Sequence, residues 1–159
     1  MDEVPAIGWA DRTARVRRAT ARLCLQLGWA PLHEVALPNG RRADILALLP
    51  DGAFVVIEVK SGARDFLTDA KWPDYGAWCD GLCFAVDEAF PRALLPEEAG
   101  LIVAADGVAE MLRPPPVVRL PPARRRSLLQ RFALLAATRL AVADDPAGAA
   151  GLRAALRAE

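Results

Sequence analysis

Lysine is nearly missing from this sequence: of 20 basic residues only Lys60 and Lys71 are lysines, and the rest are arginines. An ammonium is a compact charge whose proton affinity responds to its surroundings, whereas a guanidinium stays charged. The arginine excess fits coding bias in an Ala-rich chain, and where such a chain still uses lysine, chemistry is one reason for it. Net charge is missing too, because 20 basic residues balance 20 acidic ones. That excludes a long-range basic field, so a nucleic-acid partner must be gripped by a local patch. No apolar run approaches the ~20 residues of a membrane-spanning helix, and the acidic opening MDEVPAIGWADR is unlike a signal peptide. A soluble, cytoplasmic protein with no membrane partner is expected. Cys24, Cys79 and Cys83 are odd in number and cannot all pair, as suits a reducing compartment. Cys79-x-x-x-Cys83 lacks the second ligand pair of a zinc site. His33, the one histidine, has no partner that spacing identifies, and all four read as structural residues.

What is present suffices for one core: 159 residues, 53% apolar and 25% charged. A single domain is expected over residues 1–142, with a weakly specified, Ala-rich tail over 143–159. Asp11 to Leu27 has a helical apolar face, with Asp11 as cap and Gly28 as stop. Strands are expected at Leu32 to Leu37, Ala43 to Leu49 and Phe54 to Lys60, joined by Pro-Asn-Gly and Pro-Asp-Gly turns. A helix follows in ARDFLTDAKW and a helical turn in PDYGAWCD, with Pro73 at its first position. Short apolar runs at Gly81 to Val86, Gly100 to Ala104 and Val108 to Leu112 read as further strands. A Pro-rich connector, Pro114 to Pro122, leads to an amphipathic helix, Arg124 to Val142, with Leu128, Leu129, Phe132, Leu135, Ala136 and Leu140 inward. The order implies an α/β domain around a mixed sheet.

Asp44, Glu58 and Lys60 are set into these apolar strands. Side chains alternate along a strand, so Glu58 and Lys60 share a face. A three-residue loop at Pro50, Asp51 and Gly52 pairs Leu49 with Ala53 and puts Asp44 opposite Glu58, with Cβ atoms ~5 Å apart. A two-residue loop would turn Asp44 to the wrong face. Two carboxylates so close need a cation, a proton or a base between them. Hard oxygen ligands suit Mg²⁺ or Mn²⁺, and the Val59 carbonyl is a further candidate ligand. Lys60 then stands where it can orient or deprotonate a water or neutralise a phosphate oxygen. Glu34 is a possible third carboxylate. It opposes Asp44 if Pro38, Asn39 and Gly40 form a three-residue loop, but Asn-Gly favours a two-residue turn that faces it elsewhere, so the sequence leaves it open.

Asp44, a hairpin and Glu58-Val59-Lys60, with a helix before and a helix and strand after, resemble the PD-(D/E)XK nuclease core. Ala43-Asp44 stands where that superfamily usually has Pro-Asp. GRRADILAL, EVKSGARDFLTDAKWPDYGAWCDGLCFAV and GLIVAADG resemble, more narrowly, the MmcB-like family of bacterial DNA-repair proteins. The resemblance implies a restriction-endonuclease-like fold, Asp44 and Glu58 as Mg²⁺ ligands, Lys60 as a catalytic residue, and DNA as substrate in the nucleoid. Related members have lost catalysis, so a non-catalytic DNA-binding or adaptor protein is the alternative, with a repair-protein partner or homodimer conceivable. Lys71-x-x-x-Tyr75 is similar to the Gln-x-x-x-Tyr pattern of recombination-associated nucleases, with Lys replacing Gln and Pro73 between. Its spacing puts both side chains on one helical face toward the scissile phosphate.

Arg41, Arg42 and Arg64, with Arg15, Arg18 and Arg22 on one face of the first helix, are the candidate phosphate contacts. Ser61 joins them beside the acids; locally it either bonds a neighbouring carboxylate or caps the next helix, and the cap is the expected role. Trp72, Tyr75 and Trp78 are available to stack on bases, although at least one of the two tryptophans is expected in the core.

Overall fold

A computed structural model describes residues 8–157, so the first seven residues of the acidic opening lie outside the described residues. The chain forms two compact units that divide between Pro121 and Pro122. The first comprises α1 (Trp9–Gln26), β1 (Ala30–Ala36), β2 (Arg42–Leu48), β3 (Phe54–Val59), α2 (Ala63–Thr68), a 3-10 turn (Trp72–Trp78), β4 (Gly81–Asp87), a shorter 3-10 turn (Arg92–Leu94), β5 (Gly100–Ala105) and β6 (Val108–Arg113). The six strands form one sheet in the order β1-β2-β3-β4-β5-β6. The β3–β4 and β4–β5 pairs are parallel and the others antiparallel. It is the expected α/β architecture, a mixed sheet flanked by helices, and its order through β4 fits the restriction-endonuclease-like fold.

The sheet buries both faces. Val16, Ala19, Leu23 and Cys24 of α1 pack on Ile45, Ala47, Val55, Ile57, Val59, Cys83, Ala85 and Ile102. These odd-numbered positions of β2 and β3 define the α1 face. On the other face Phe84 and Val86 of β4 and Leu101 of β5 meet Phe90 and Leu95 from the β4–β5 connection, with Phe66 of α2 and Trp72 of the 3-10 turn against them. This two-sided cover explains why all six residues of β3 are buried. Cys24, Cys79 and Cys83 are free and buried, and burial pushes the Cys79 thiol up to about 12.

Both hairpins of the meander use three-residue loops. Leu49 N–H donates to Ala53 O at 2.9 Å around Pro50-Asp51-Gly52, and Leu37 N–H donates to Arg41 O at 2.7 Å around Pro38-Asn39-Gly40. Gly52 and Gly40 carry the left-handed backbone (φ 84° and 82°) that closes such loops. The two-residue alternative at Asn39-Gly40 requires positive φ at both residues, and Asn39 is not left-handed. Its side chain instead accepts the Arg41 N–H and donates to Asp74 O.

A buried acid fastens the Pro-rich connector. Asp80 accepts the Phe54 N–H at 2.7 Å and the Leu120 N–H at 2.8 Å, and its carbonyl accepts from Val118. The connector also passes so close to Gly100 that a Cβ there would lie 2.8 Å from the Pro115 nitrogen and 2.5 Å from Cys83 Sγ. Hydrogen bonds to an ionised partner contribute roughly 1.5–3 kcal/mol each, and orphaned buried N–H groups cost more. Asp80→Ala is therefore expected to destabilise the protein by about 3 kcal/mol, read as a lower urea midpoint at unchanged m-value.

The second unit is α3 (Pro122–Asp144) followed by α4 (Pro146–Arg157). Of the six side chains expected inward on α3, only Leu128 and Phe132 are buried; Leu129 and Leu140 are exposed. Within the Ala-rich tail, residues 146–157 form helix α4. Pro146 starts it, Asp145 Oδ1 accepts the Gly148 N–H, and its alanines favour helix.

Candidate active site

The β2–β3 ladder runs from Leu48 opposite Phe54 to Ile45 opposite Ile57, and one further step sets Asp44 against Glu58. At that step side chains take over from backbone pairing. Asp44 N–H donates to Glu58 Oε1 at 3.1 Å, and Val59 N–H donates to Asp44 Oδ2 at 2.8 Å. Each carboxylate is thus tied by one oxygen to the other's strand. Both belong to the even-numbered face, away from α1. Glu58 is 5% exposed and Asp44 half-buried.

Burial and like charge act together here. Desolvation, then the Asp44 charge, push the Glu58 carboxyl up to about 7. Desolvation also raises Asp44, partly offset by the Val59 N–H and by Lys60. Lys60, 6% exposed on the same face, donates to Asp69 Oδ2 at 2.7 Å. Asp69 ends α2, and its other oxygen accepts the Lys71 N–H at 3.0 Å. Desolvation pushes the Asp69 carboxyl up, but the bonds from Lys60 and Lys71 outweigh it and hold the group below its ordinary value. The Lys60 ammonium is therefore anchored beside the two acids. Two desolvated carboxylates and an adjacent ammonium form a constellation able to hold a hard cation and stabilise charge on a phosphate.

A family model for MmcB-like DNA repair proteins matches residues 3–147. The chain belongs to that family. Membership in the MmcB-like family points to a role in DNA repair. The solved structure of the SPO1766 protein of unknown function from Silicibacter pomeroyi is similar, with 43% identity and a TM-score of 0.82 over 86% of this chain and 94% of that one. No curated protein matches.

Within the MmcB-like fold the other expected residues scatter. Glu34 lies at the register position opposite Asp44, since His33 pairs with Ile45 and Val35 with Ala43. Its backbone is left-handed (φ 48°), however, and its carboxylate comes within 4.0 Å of Arg17 on α1. The sheet therefore lies between Glu34 and the two acids, which settles the question that the sequence left open: Glu34 stays outside the constellation. Lys71 and Tyr75 do not share a helical face either. Lys71 only caps the turn that bears Tyr75, and that turn (Trp72–Trp78) is 3-10 rather than α-helical, so the spacing of four does not align the two side chains. Lys71 is exposed, whereas Tyr75 is buried and donates to Arg42 O at 2.8 Å. Burial, then the neighbouring Glu58 charge, raise the phenol above its ordinary value, which places Tyr75 at the edge of the site.

Ser61 does not cap α2, whose N-cap is Gly62. Its N–H and hydroxyl approach Asp65 Oδ2 at 3.1 and 3.4 Å, the neighbouring-carboxylate alternative. Arg41 pairs with Asp74 at 3.2 Å, while Arg42 and Arg64 are exposed. Arg15, Arg18 and Arg22 lie on α1, over the opposite face of the sheet from the acids. Trp72 stacks edge-on against Phe84, with centroids 5.6 Å apart, and belongs to the core. Asp69 is the residue that sequence reasoning missed. Its only signal is an acid at the end of the helix that follows Lys60.

Proposed function

We propose that this protein is a Mg²⁺- or Mn²⁺-dependent endonuclease that hydrolyses DNA phosphodiester bonds during repair. The reading rests on one observation: two desolvated carboxylates, Asp44 and Glu58, share a sheet face with an anchored ammonium, Lys60. Family membership supports DNA as the substrate. The donor set fits a hard divalent cation, because buried like charges are relieved by an ion and carboxylate oxygens suit Mg²⁺. Among the described residues no group of three His, Cys, Asp or Glu converges. Asp44 and Glu58 would then hold the ion with the Val59 carbonyl as a further candidate ligand, leaving room for water and phosphate oxygens, as suits Mg²⁺.

Held by Asp44 and Glu58, such an ion would supply Lewis-acid polarisation of the phosphodiester and a more acidic attacking water. Asp44 and Glu58 hold their oxygens in place through the two cross-strand N–H bonds. The Lys60 ammonium neutralises charge gathering on the phosphate, preorganised by Asp69 so that little reorientation accompanies the reaction. Tyr75 contributes a rigid, buried edge against Glu58.

Cleavage of single-stranded, duplex and branched DNA in Mg²⁺ or Mn²⁺ tests the proposal. Binding without cleavage by the intact protein would favour the adaptor reading. A second expectation concerns Asp69. In Asp69→Asn the Lys60 ammonium loses its charged partner and turns to Asp44 and Glu58, competing with the ion. Partners that orient a metal site typically contribute 10–100-fold in affinity. Mn²⁺ affinity should fall about tenfold by calorimetry, with the fold intact by circular dichroism.

A further inference from the structure

On the α1 side of the sheet a groove of about 840 Å³ runs between α1 and the ends of β4 and β5. One wall is basic, formed by Arg12, Arg15, Arg18 and Arg22; the other carries Glu88 and Asp106. The end arginines are fixed. Arg12 is paired with Asp87, and Arg22 donates to Gly107 O at 3.2 Å. Arg15 and Arg18, between them, are exposed and make no hydrogen bond or ion pair among the described residues. Arg15 to Arg22 spans about 10 Å of helix at 1.5 Å per residue, roughly three nucleotides of a stacked strand at 3.4 Å each.

Trp9 stands at the head of this row. Its side chain is 64% exposed, and the Arg12 guanidinium lies 5.1 Å from its ring centroid. The ring packs over Gly62, two residues beyond Lys60, where a Cβ would lie 3.0 Å from it. Trp9 therefore links the arginine row to the strand end that carries Lys60. An exposed aromatic beside a row of cations is the combination that binds single-stranded nucleic acid, by stacking bases and tracking phosphates.

We propose that this groove holds a single-stranded flank of the DNA substrate, with phosphates along Arg15, Arg18 and Arg22 and a base on Trp9. The opposed walls favour one strand over a duplex. A single strand sets its phosphates on the basic wall and turns base edges, with their exocyclic amine donors, toward Glu88 and Asp106. A duplex carries phosphates on both sides and would press one backbone against the acids. The inference rests on DNA being the ligand of the proposed nuclease, and it specifies the form of DNA: one with an unpaired segment beside the cleavage point.

Fluorescence anisotropy in EDTA tests this without catalysis, using a labelled oligodeoxycytidylate of about 12 nucleotides, which carries the exocyclic amines and lies within the range such surfaces bind, and the same strand paired with its complement. The intact protein is expected to prefer the single strand at least tenfold. Arg15→Ala/Arg18→Ala should weaken that binding at least tenfold and lower its salt slope by about 1.4, two contacts at ~0.7 each. Trp9→Ala should weaken it about 5- to 100-fold, as loss of a stacking contact does, and Trp9→Phe should restore part of it. Equal affinity for duplex, no single-strand binding, or unchanged binding by the Arg15/Arg18 and Trp9 variants would overturn the proposal. Single-strand binding lost in these variants, in a protein that cuts nothing, would uphold the groove and sink the nuclease.

Discussion

Lys60→Met is expected to slow Mg²⁺-dependent DNA cleavage by about 10³-fold under single-turnover conditions, while DNA binding in EDTA changes by less than about twofold. Removing a preorganised charge that stabilises a transition state typically costs 10²–10³-fold, and removing a proton-transfer group 10²–10⁴-fold, so either role predicts a loss of this size. Methionine keeps the apolar stem of a side chain only 6% exposed and so avoids a cavity. Asp69 loses its partner but keeps the Lys71 N–H and access to solvent, so the fold is expected to persist. Asp44→Asn and Glu58→Gln preserve shape, remove charge, and should abolish the metal-dependent rate to a similar degree. Arginine at position 60 should not rescue, because a guanidinium is larger and its planar fork needs different room. Undiminished cleavage by all three variants would place the chemistry elsewhere in the molecule.

The second large effect is a pH dependence of stability in the metal-free protein. Glu58 titrates near its ordinary value of 4.5 in the unfolded chain and at about 7 in the folded one, chiefly because it is buried and secondly because Asp44 is charged. Between these values the folded state binds a proton that the unfolded state has released. Stability therefore falls as pH rises through this window and is greatest below it. At 1.36 kcal/mol per pH unit the full effect is on the order of 3 kcal/mol, or roughly 6–12 °C in Tm for a chain of this size. The raised Asp44 acts in the same direction. Asp69 acts oppositely: its stabilisation is present above its unfolded value of 3.8 and is lost below that, outside the window. Melts in EDTA at pH 5, 6, 7 and 8 should show a falling Tm that Glu58→Gln flattens. Excess Mg²⁺ should reverse the trend, since the ion binds deprotonated carboxylates and stabilises the folded state more at high pH. A Tm that is flat in EDTA and unmoved by Glu58→Gln would mean that Glu58 is not desolvated.

The heart of the site was legible because it depends on parity. Once Pro50-Asp51-Gly52 forms a three-residue loop, alternation along β2 and β3 puts Asp44 and Glu58 face to face without further information. Glu34 shows where parity stops: the Pro38-Asn39-Gly40 loop also has three residues, yet one left-handed residue turns its side chain toward Arg17. Nothing local marks that position in the sequence. The Lys71–Tyr75 spacing presumed 3.6 residues per turn, and the segment with Pro73 and Gly76 winds as 3-10 instead. The sequence alone does not single out Asp69 or Asp80, because their partners Lys60, Phe54 and Leu120 meet them only through tertiary structure. The inward face assigned to α3 was too broad, since a helical apolar pattern does not say how much of it finds cover.

Anomalous diffraction from crystals of the intact protein soaked in Mn²⁺ tests the central claim most directly. A single manganese peak bridging the carboxylates of Asp44 and Glu58, with the Lys60 ammonium still on Asp69, is the predicted result. A map with no peak there at saturating Mn²⁺, or with Lys60 lodged between the two acids in its place, would contradict it.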